Sequence, residues 1–448
     1  MQRLAAVLAI ILVAMLAGAR PSVGAPAAEA RFEGVASCAG TTCHGRLEGN
    51  GAVVRQDELA RWQDPASDTG AHSRAYTALN GHRAHQITAT LGLGEPTAAP
   101  ACLGCHTTPT YGARGPRFLA SDGVGCEACH GPSGGWIASH YAVGASHAAN
   151  VSRGMTALER PRVRAEICLD CHFGSGKPGQ FVSHRMMAAG HPRVAFELDL
   201  YSTLQQHHNE DADYAQRKGR TDNVRMWAVG QAMAVSRALS LYAGPRGAEG
   251  AFPEFYFFDC QSCHRRIYDQ ADFSRSWESN PGRPIPAGMP PFNDETMILL
   301  SAAAHVAAPG LATRFDADSR AFHAALALDR RAAVAAAARL AATANGLAEA
   351  LSGLNGSGDM AFAMLDRIAG PALEPRFTDY AGSVQAVMAT DTLLNALVRQ
   401  GRVTTGAAAG IRANISRAYA AVKDPNGYQP AVFRGALGGA IHSIEALR

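Results

Sequence analysis

Ten cysteines, all that the 448-residue chain contains, form five pairs, and a histidine directly follows each pair. Four pairs have two residues between the cysteines: CLGCH at 102–106, CEACH at 126–130, CLDCH at 168–172 and CQSCH at 260–264. The first, CAGTTCH at 38–44, has four. Because only 17 residues of the chain are histidine, five such adjacencies indicate one shared role, and the wider first pair belongs to the same series.

Covalent haem attachment accounts for this pattern. Two thioether bonds would fix a porphyrin to the paired sulfurs, and the adjacent histidine, on the first turn of a helix, would reach the iron as an axial ligand. The sequence therefore predicts five c-type haems, attached at Cys38 and Cys43, Cys102 and Cys105, Cys126 and Cys129, Cys168 and Cys171, and Cys260 and Cys263. The predicted proximal ligands are His44, His106, His130, His172 and His264.

Other uses of paired cysteines explain the sequence less well. A zinc site built from two CxxC pairs does not need a histidine after each second cysteine, and five pairs cannot all combine two by two. Thioredoxin-like chemistry needs a single CxxC on a helix in an α/β context. A disulfide between Cys38 and Cys43 stays open as an alternative for the first pair, because thiol pairs in an oxidising compartment often oxidise.

Residues 1–30 have the anatomy of a secretory signal, with Arg3, an apolar core over residues 4–19 and small residues at 23–30 that suit cleavage. No later stretch is apolar for long enough to cross a bilayer. We therefore predict export to the periplasm, removal of the signal, and a mature chain without a membrane span. The chain also lacks a basic stripe with interleaved aromatic residues, so nucleic-acid binding is not indicated.

Composition divides the rest of the chain into two parts. Residues 31–293 are rich in Gly, Pro, His and Cys, and one clear helix, Asn223–Ala243 with Asp222 as its cap, interrupts them. The stretch RVAFELDLYSTL before it could be helical or extended. Alanine dominates residues 294–448, where we predict helices at 294–307, 317–351, 359–368, 380–399, 405–422 and 431–447. The predicted fold is mainly α: a loop-rich multihaem cytochrome c domain over 31–293, followed by an Ala-rich helical domain over 294–448.

Twelve histidines remain once the five proximal ones are set aside, and this surplus favours a second histidine as sixth ligand to most of the irons. The preferred candidates lie among small or apolar residues near a haem motif: His72, His140, His184 and His191. Weaker candidates are His207, His208, His82, His85 and His147. Packed or surface positions are the simpler interpretation for His305, His323 and His442 in the Ala-rich part.

Several segments resemble the cytochrome c-554 family of multihaem electron carriers. The resemblance spans roughly residues 34–172 and is carried by SCAGTTCH, RWQDPASDTGAHSRAY, ACLGCHTT, DGVGCEACHGPSGGWIASH and EICLDCH. The later pieces FVSHRMMAAGHPRVAFELD and FFDCQSCHRR are similar to a longer, pentahaem branch.

The resemblance implies particular ligands. It implies that His72 serves the haem of the third motif, CEACH, and that His140 serves that of the first, CAGTTCH. It also implies a five-coordinate iron at the second motif, CLGCH, although the nearby His82 and His85 could close that site. The four-residue spacing of the first motif and the fifth haem depart from the family pattern.

The leading expectation is a periplasmic pentahaem c-type cytochrome that transfers electrons between redox partner proteins. The alternative is an oxidoreductase that acts on a small nitrogen compound at a five-coordinate haem, for which the second motif is the place to look. A five-coordinate iron accepts a small ligand, whereas an iron with two histidine ligands serves electron transfer. The sequence favours the carrier over the catalyst.

Overall fold

A computed structural model describes residues 30–49, 55–249, 254–264, 290–373 and 380–448. The fold is mainly α, as the sequence predicts. The predicted signal at residues 1–30 lies outside the described part, apart from its last residue. In the described residues the two strands are short: β1 (Arg31–Phe32) pairs in parallel with β2 (Ala113–Arg114).

The cysteine-rich part contains short helices joined by loops. They are α1 (Glu58–Trp62), α2 (His82–Leu91), α3 (Pro100–His106), α4 (Cys126–His130), α5 (Ile137–His140), α6 (His147–Ser152), α7 (Pro161–His172), α8 (His184–Ala188), α9 (Leu198–Leu204), α10 (Ala212–Lys218) and α12 (Gln261–His264). The stretch that the sequence left undecided, RVAFELDLYSTL, ends in helix α9 and is not helical before it.

Four motif histidines are the last residues of their helices, and for His106 and His172 the expectation of a first helical turn is wrong, because α3 and α7 extend well beyond one turn before them. His106, His130, His172 and His264 are the last residues of α3, α4, α7 and α12. A proline at the start of α3 and of α7 sets where those helices begin. Gly131, with φ of 81°, ends α4. The first motif, with its wider spacing, forms turns instead of an α-helix.

The long helix α11 (Asn223–Ala243) forms where the sequence predicts it. The side chain of Asp222 accepts a hydrogen bond from the backbone N–H of Arg225 (2.9 Å), which caps the first turn. Its residues are buried on nearly all sides, including Trp227 and Leu239 at 0 % exposure. A helix that is buried on nearly all sides belongs in the middle of a protein, and α11 packs mainly against α15 of the Ala-rich part (residues 330–352).

The described residues of the Ala-rich part are mostly helical, with short loops between the helices. Its helices are α13 (Glu295–Ala307), α14 (Pro309–Leu326), α15 (Arg330–Ser352), α16 (Gly358–Leu373), α17 (Tyr380–Arg399), α18 (Thr405–Ala421) and α19 (Pro430–Glu445). The single helix predicted over 317–351 is wrong. Two helices meet there, because Asp329 accepts a hydrogen bond from the N–H of Ala332 (2.9 Å) and starts α15 as its N-cap.

One large apolar core joins the two parts of the chain. It includes Trp227 of α11 together with Leu300, Leu340 and Leu394 of the Ala-rich helices, all of them fully buried. The domain boundaries predicted from composition, 31–293 and 294–448, stay predictions. The Ala-rich helices thus form a packed backing for the segment that carries the motifs. No helix among the described residues is long and apolar enough to cross a membrane.

The packing of α15 gives a direct test of this core. Leu340→Ala removes a fully buried side chain and should lower the free energy of unfolding by about 2–5 kcal/mol, through lost apolar burial and the cavity left behind. Arg339→Ala changes the exposed neighbour and should cost about 0.5 kcal/mol or less. Denaturant unfolding followed by circular dichroism compares the two; equal effects would contradict the described packing.

Candidate functional site

The first four motifs face one connected cavity of about 2490 Å³. Its lining includes the motif histidines His44, His106, His130 and His172, with their cysteines. Sites for a single drug-sized ligand are usually about 300–1,000 Å³, so this space suits several large ligands. We number the sites 1 to 5 in the order of their motif histidines, and the fifth, at His264, lies apart from this cavity's described lining.

At four sites the motif histidine faces a second imidazole at a nearly constant distance. The ring centres are 6.2 Å apart for His44 and His140, 6.4 Å for His106 and His191, 6.2 Å for His172 and His72, and 6.1 Å for His264 and His184. Each pair joins segments that are far apart in the sequence.

His130, at site 3, faces two imidazoles instead of one. The ring of His207 is 6.3 Å away and that of His208 is 6.2 Å away. The nearest ring nitrogens of the three residues all lie within 4.8 Å of one another, which is close enough to share a metal ion. Site 3 therefore offers two alternative partners for its motif histidine.

This spacing is the one that two ligands of one metal require. With metal–nitrogen bonds of about 2.0 Å and about 1.1 Å from nitrogen to ring centre, two imidazoles on opposite sides of a metal have centres about 6.2 Å apart. The same spacing between ring centres recurs at all five sites. The paired imidazoles thus fit five metal centres.

Hydrogen bonds at Nδ1 hold several of the rings in place. Nδ1 of His106 donates to the backbone oxygen of Ala75 (2.7 Å), and Nδ1 of His191 donates to that of Pro192 (2.8 Å). At site 1, Nδ1 of His44 donates to a carboxylate oxygen of Glu58 (3.0 Å). Such outer contacts are typical of metal-binding histidines, because they select the tautomer whose Nε2 lone pair is available.

Burial keeps three of the imidazoles neutral, which is the form that binds a metal. Burial, with the neighbouring His207 and His208, lowers the pKa of His130 to about 3. Burial likewise lowers the pKa of His172 and of His207 to about 4, in each case with a further contribution from an adjacent imidazole.

Two of the candidate ligands depart from what the resemblance implies. His140 faces His44 of the first motif, as implied, but His72 faces His172 of site 4 rather than His130 of site 3. At site 2, where the resemblance implies an open iron, His191 faces His106.

His207 and His208, which face His130 at site 3, are among the weaker candidates from sequence. Counting points to them, because five motif histidines need five partners and the preferred candidates are only four. Other histidines lie beside acidic side chains at the surface: His85 is 3.7 Å from Glu95, and His147 is 3.1 Å from Glu159. In the Ala-rich part, His305 pairs with Asp316 (2.8 Å) and the buried His323 with Asp294 (3.2 Å).

The cysteines connect neighbouring sites. Cys38 and Cys126 lie close enough to shift each other's pKa, which brings sites 1 and 3 together, and Cys105 and Cys171 do the same for sites 2 and 4. Cys129 raises the pKa of Cys168, which links sites 3 and 4. Sites 1, 3, 4 and 2 thus form a continuous row.

Arg193 connects this row to site 5. It follows His191 of site 2 by two residues, and its guanidinium lies 3.2 Å from the sulfur of Cys260. The same guanidinium lies over the ring of Tyr256 (5.8 Å) and 3.7 Å from Glu295 of α13. Burial would lower its pKa, but the charge of Glu295 and the Cys260 thiol raise it, so Arg193 stays charged.

The Ala-rich helices reach site 4 through two hydrogen bonds. Gln385 of α17 donates to the backbone oxygen of Phe196 (2.9 Å), and Thr392 of α17 donates to the carboxylate of Glu197 (2.8 Å). The ring of Phe196 stacks on His172, with centres 4.9 Å apart. Helix α17 therefore holds the segment against which the site 4 imidazole packs.

Residues 37–131 match the family model described as "Cytochrome c554 and c-prime". The matched stretch contains the first three motifs and His72. The match supports a cytochrome c family, a haem-based electron-transfer protein and covalently bound c-type haem with iron. The paired cysteines, neutral imidazoles and large cavity fit that cofactor. Searches among curated proteins and among solved structures found no match.

The junction of sites 2 and 4 depends on a glycine inside the second motif. The backbone oxygen of Gly104 accepts a hydrogen bond from Gln180 (3.1 Å), and a side chain at residue 104 would overlap the backbone of Gly179. Gly104→Ala should therefore force the two segments apart, at a cost of about 1–3 kcal/mol, and should reduce haem bound per chain.

The matched control is Gly176→Ala, because a methyl group there meets no neighbouring atom within 4 Å. The haem absorbance of the denatured protein, divided by protein concentration, measures both variants. Equal haem content in Gly104→Ala, Gly176→Ala and the unmodified protein would contradict the close approach at residue 104.

Proposed function

We propose that the protein is a periplasmic pentahaem c-type cytochrome that relays electrons between redox partner proteins. The observation that carries this proposal is the repeated imidazole pair, with ring centres 6.1–6.4 Å apart at every motif histidine. Two cysteines of each motif would hold a haem, and the two imidazoles would hold its iron from both sides. Bound there, each haem supplies reversible one-electron chemistry.

The facing imidazoles favour a carrier over a catalyst. An iron held on both sides has no free position for a small substrate, and its surroundings change little when it gains an electron. Site 2, where an open position was the alternative, has His191 in place at 6.4 Å from His106. The proposal therefore assigns electron transfer to all five sites.

The row of sites supports a relay. If each cysteine pair holds a haem, the proximity of Cys38 to Cys126, of Cys129 to Cys168, and of Cys105 to Cys171 would bring the haems of sites 1, 3, 4 and 2 next to one another. Arg193 extends the row to site 5. This order differs from the order of the motifs in the sequence. Electrons would travel 1–3–4–2–5 or in the reverse direction.

Export to the periplasm is part of the proposal and rests on the signal-like residues 1–30. The donor and the acceptor would be other redox proteins, since a site closed on both sides exchanges electrons through its edge and binds no small substrate.

Two measurements on the mature protein, made in a host that attaches c-type haem, test the proposal. Intact mass should show five added haems, and electron paramagnetic resonance of the oxidised protein should show low-spin iron alone. Adding nitric oxide or hydroxylamine should leave the spectrum unchanged. Fewer than five haems would overturn the pentahaem assignment, and a high-spin signal that responds to those ligands would support the enzyme instead.

The assignment of His191 has its own test. His191→Ala should remove one ligand from the iron of site 2 and convert one haem in five from low spin to high spin. His85→Ala is the control, because His85 lies on the surface beside Glu95 and should change no haem. Absorption and electron paramagnetic resonance follow both variants. A fully low-spin His191→Ala protein would remove His191 from the ligand set.

A further inference from the structure

We infer that the surroundings of Nδ1 of the motif histidine grade the reduction potentials of sites 1, 2 and 4, and that Glu58 makes site 1 more reducing than the other two. This inference rests on the proposed function, because it concerns the same five sites. Glu58 acts as a positioning and tuning residue, through His44.

The motif histidines of these three sites have different partners at Nδ1. At site 1, His44 donates to the carboxylate of Glu58 (3.0 Å). At site 2, His106 donates to the backbone oxygen of Ala75 (2.7 Å). At site 4, Nδ1 of His172 is buried and has no hydrogen-bond partner among the described residues. Aromatic rings hold His172 instead, with Phe196 at 4.9 Å and Tyr201 at 5.3 Å.

These partners differ in the strength of the hydrogen bond that they accept from Nδ1. A carboxylate accepts a stronger hydrogen bond than a neutral carbonyl, and a stronger bond at Nδ1 makes the opposite nitrogen a better electron donor. Greater donation to an iron stabilises its oxidised form and lowers its reduction potential. The three partners therefore predict potentials that rise from site 1 to site 2 to site 4.

The position of Glu58 strengthens its effect. Its side chain is only 8 % exposed, and solvent screens a buried charge weakly. The nearby Arg61 is paired with Asp57 (3.0 Å). The ion pairs described for Glu58 come from His44 (3.0 Å) and, through its second oxygen, from His208 (3.7 Å). Because His208 faces site 3, Glu58 should also lower the potential of that site, by less.

Glu127 adds negative charge at the same end of the row. Its carboxylate is 5 % exposed and accepts hydrogen bonds from the backbone N–H groups of Glu33, Gly34 and Ser133 (2.7–2.9 Å). Further along the row, at site 4, Asp170 beside Cys171 is paired with both Lys177 and Arg237. The charge distribution therefore favours electron flow from site 1 through site 3 to site 4.

Glu58→Gln tests the inference, because glutamine keeps the shape and removes the charge. The equilibrium constant for reduction of site 1 should rise at least tenfold. For a one-electron step, this is an increase in its reduction potential of about 59 mV or more. Glu48→Gln is the matched control, since it removes the same charge from an exposed position four residues after His44. A redox titration followed by absorption measures all five components, and His140→Ala identifies the one that belongs to site 1.

Glu58→Asp provides an intermediate variant that keeps the charge but withdraws it from His44. The potential of site 1 should then lie between those of the unmodified protein and Glu58→Gln. If Glu58→Gln does not fold, a positive shift in Glu58→Asp still supports the inference. Five low-spin haems with unchanged potentials in the folded Glu58 variants would overturn it and leave the proposed function intact. If the unmodified protein carried no haem, the proposed function would be overturned instead.

Discussion

The cysteine-rich segment depends on imidazoles that face each other across a gap of constant width. His72 and His172 come from segments one hundred residues apart, yet their ring centres are 6.2 Å from each other. The apolar clusters in this segment are small, one of them comprising only Ile87, Met186 and Ala189 as buried members, so aliphatic packing alone offers little to hold its loops together. A haem iron bound between each pair would link those distant segments, which explains how a loop-rich chain can keep a defined structure.

The Ala-rich helices contribute the packed core that the cysteine-rich segment lacks. Helix α11 belongs to that segment in sequence but is buried among α13, α15 and α17. From this core, Gln385 and Thr392 reach Phe196 and Glu197, and Phe196 lies on the site 4 imidazole. The packed core thus supports the sites from behind. The proposed relay would benefit from such packing, because well-packed surroundings keep the rearrangement that accompanies each electron small.

Sequence patterns were most informative where a local rule operates. The cap at Asp222 and the apolar run after it predicted α11 correctly, because both depend on residues within a few helical turns. The same reasoning missed the break at Asp329, where alanine-rich sequence on both sides hides a turn. It also placed the motif histidines in a first helical turn, whereas His106 and His172 are the last residues of helices longer than one turn.

The cysteine–histidine spacing by itself determined the chemistry, because covalent attachment and proximal ligation involve residues that are adjacent in the chain. It could not determine the second imidazole of each site, since that partner comes from a segment whose position depends on the whole fold. Only the tertiary structure brought His72 to site 4, His191 to site 2, and His207 and His208 to site 3. The order of the sites and the contact between Glu58 and His44 were likewise decided in three dimensions, because both arise where separate loops meet.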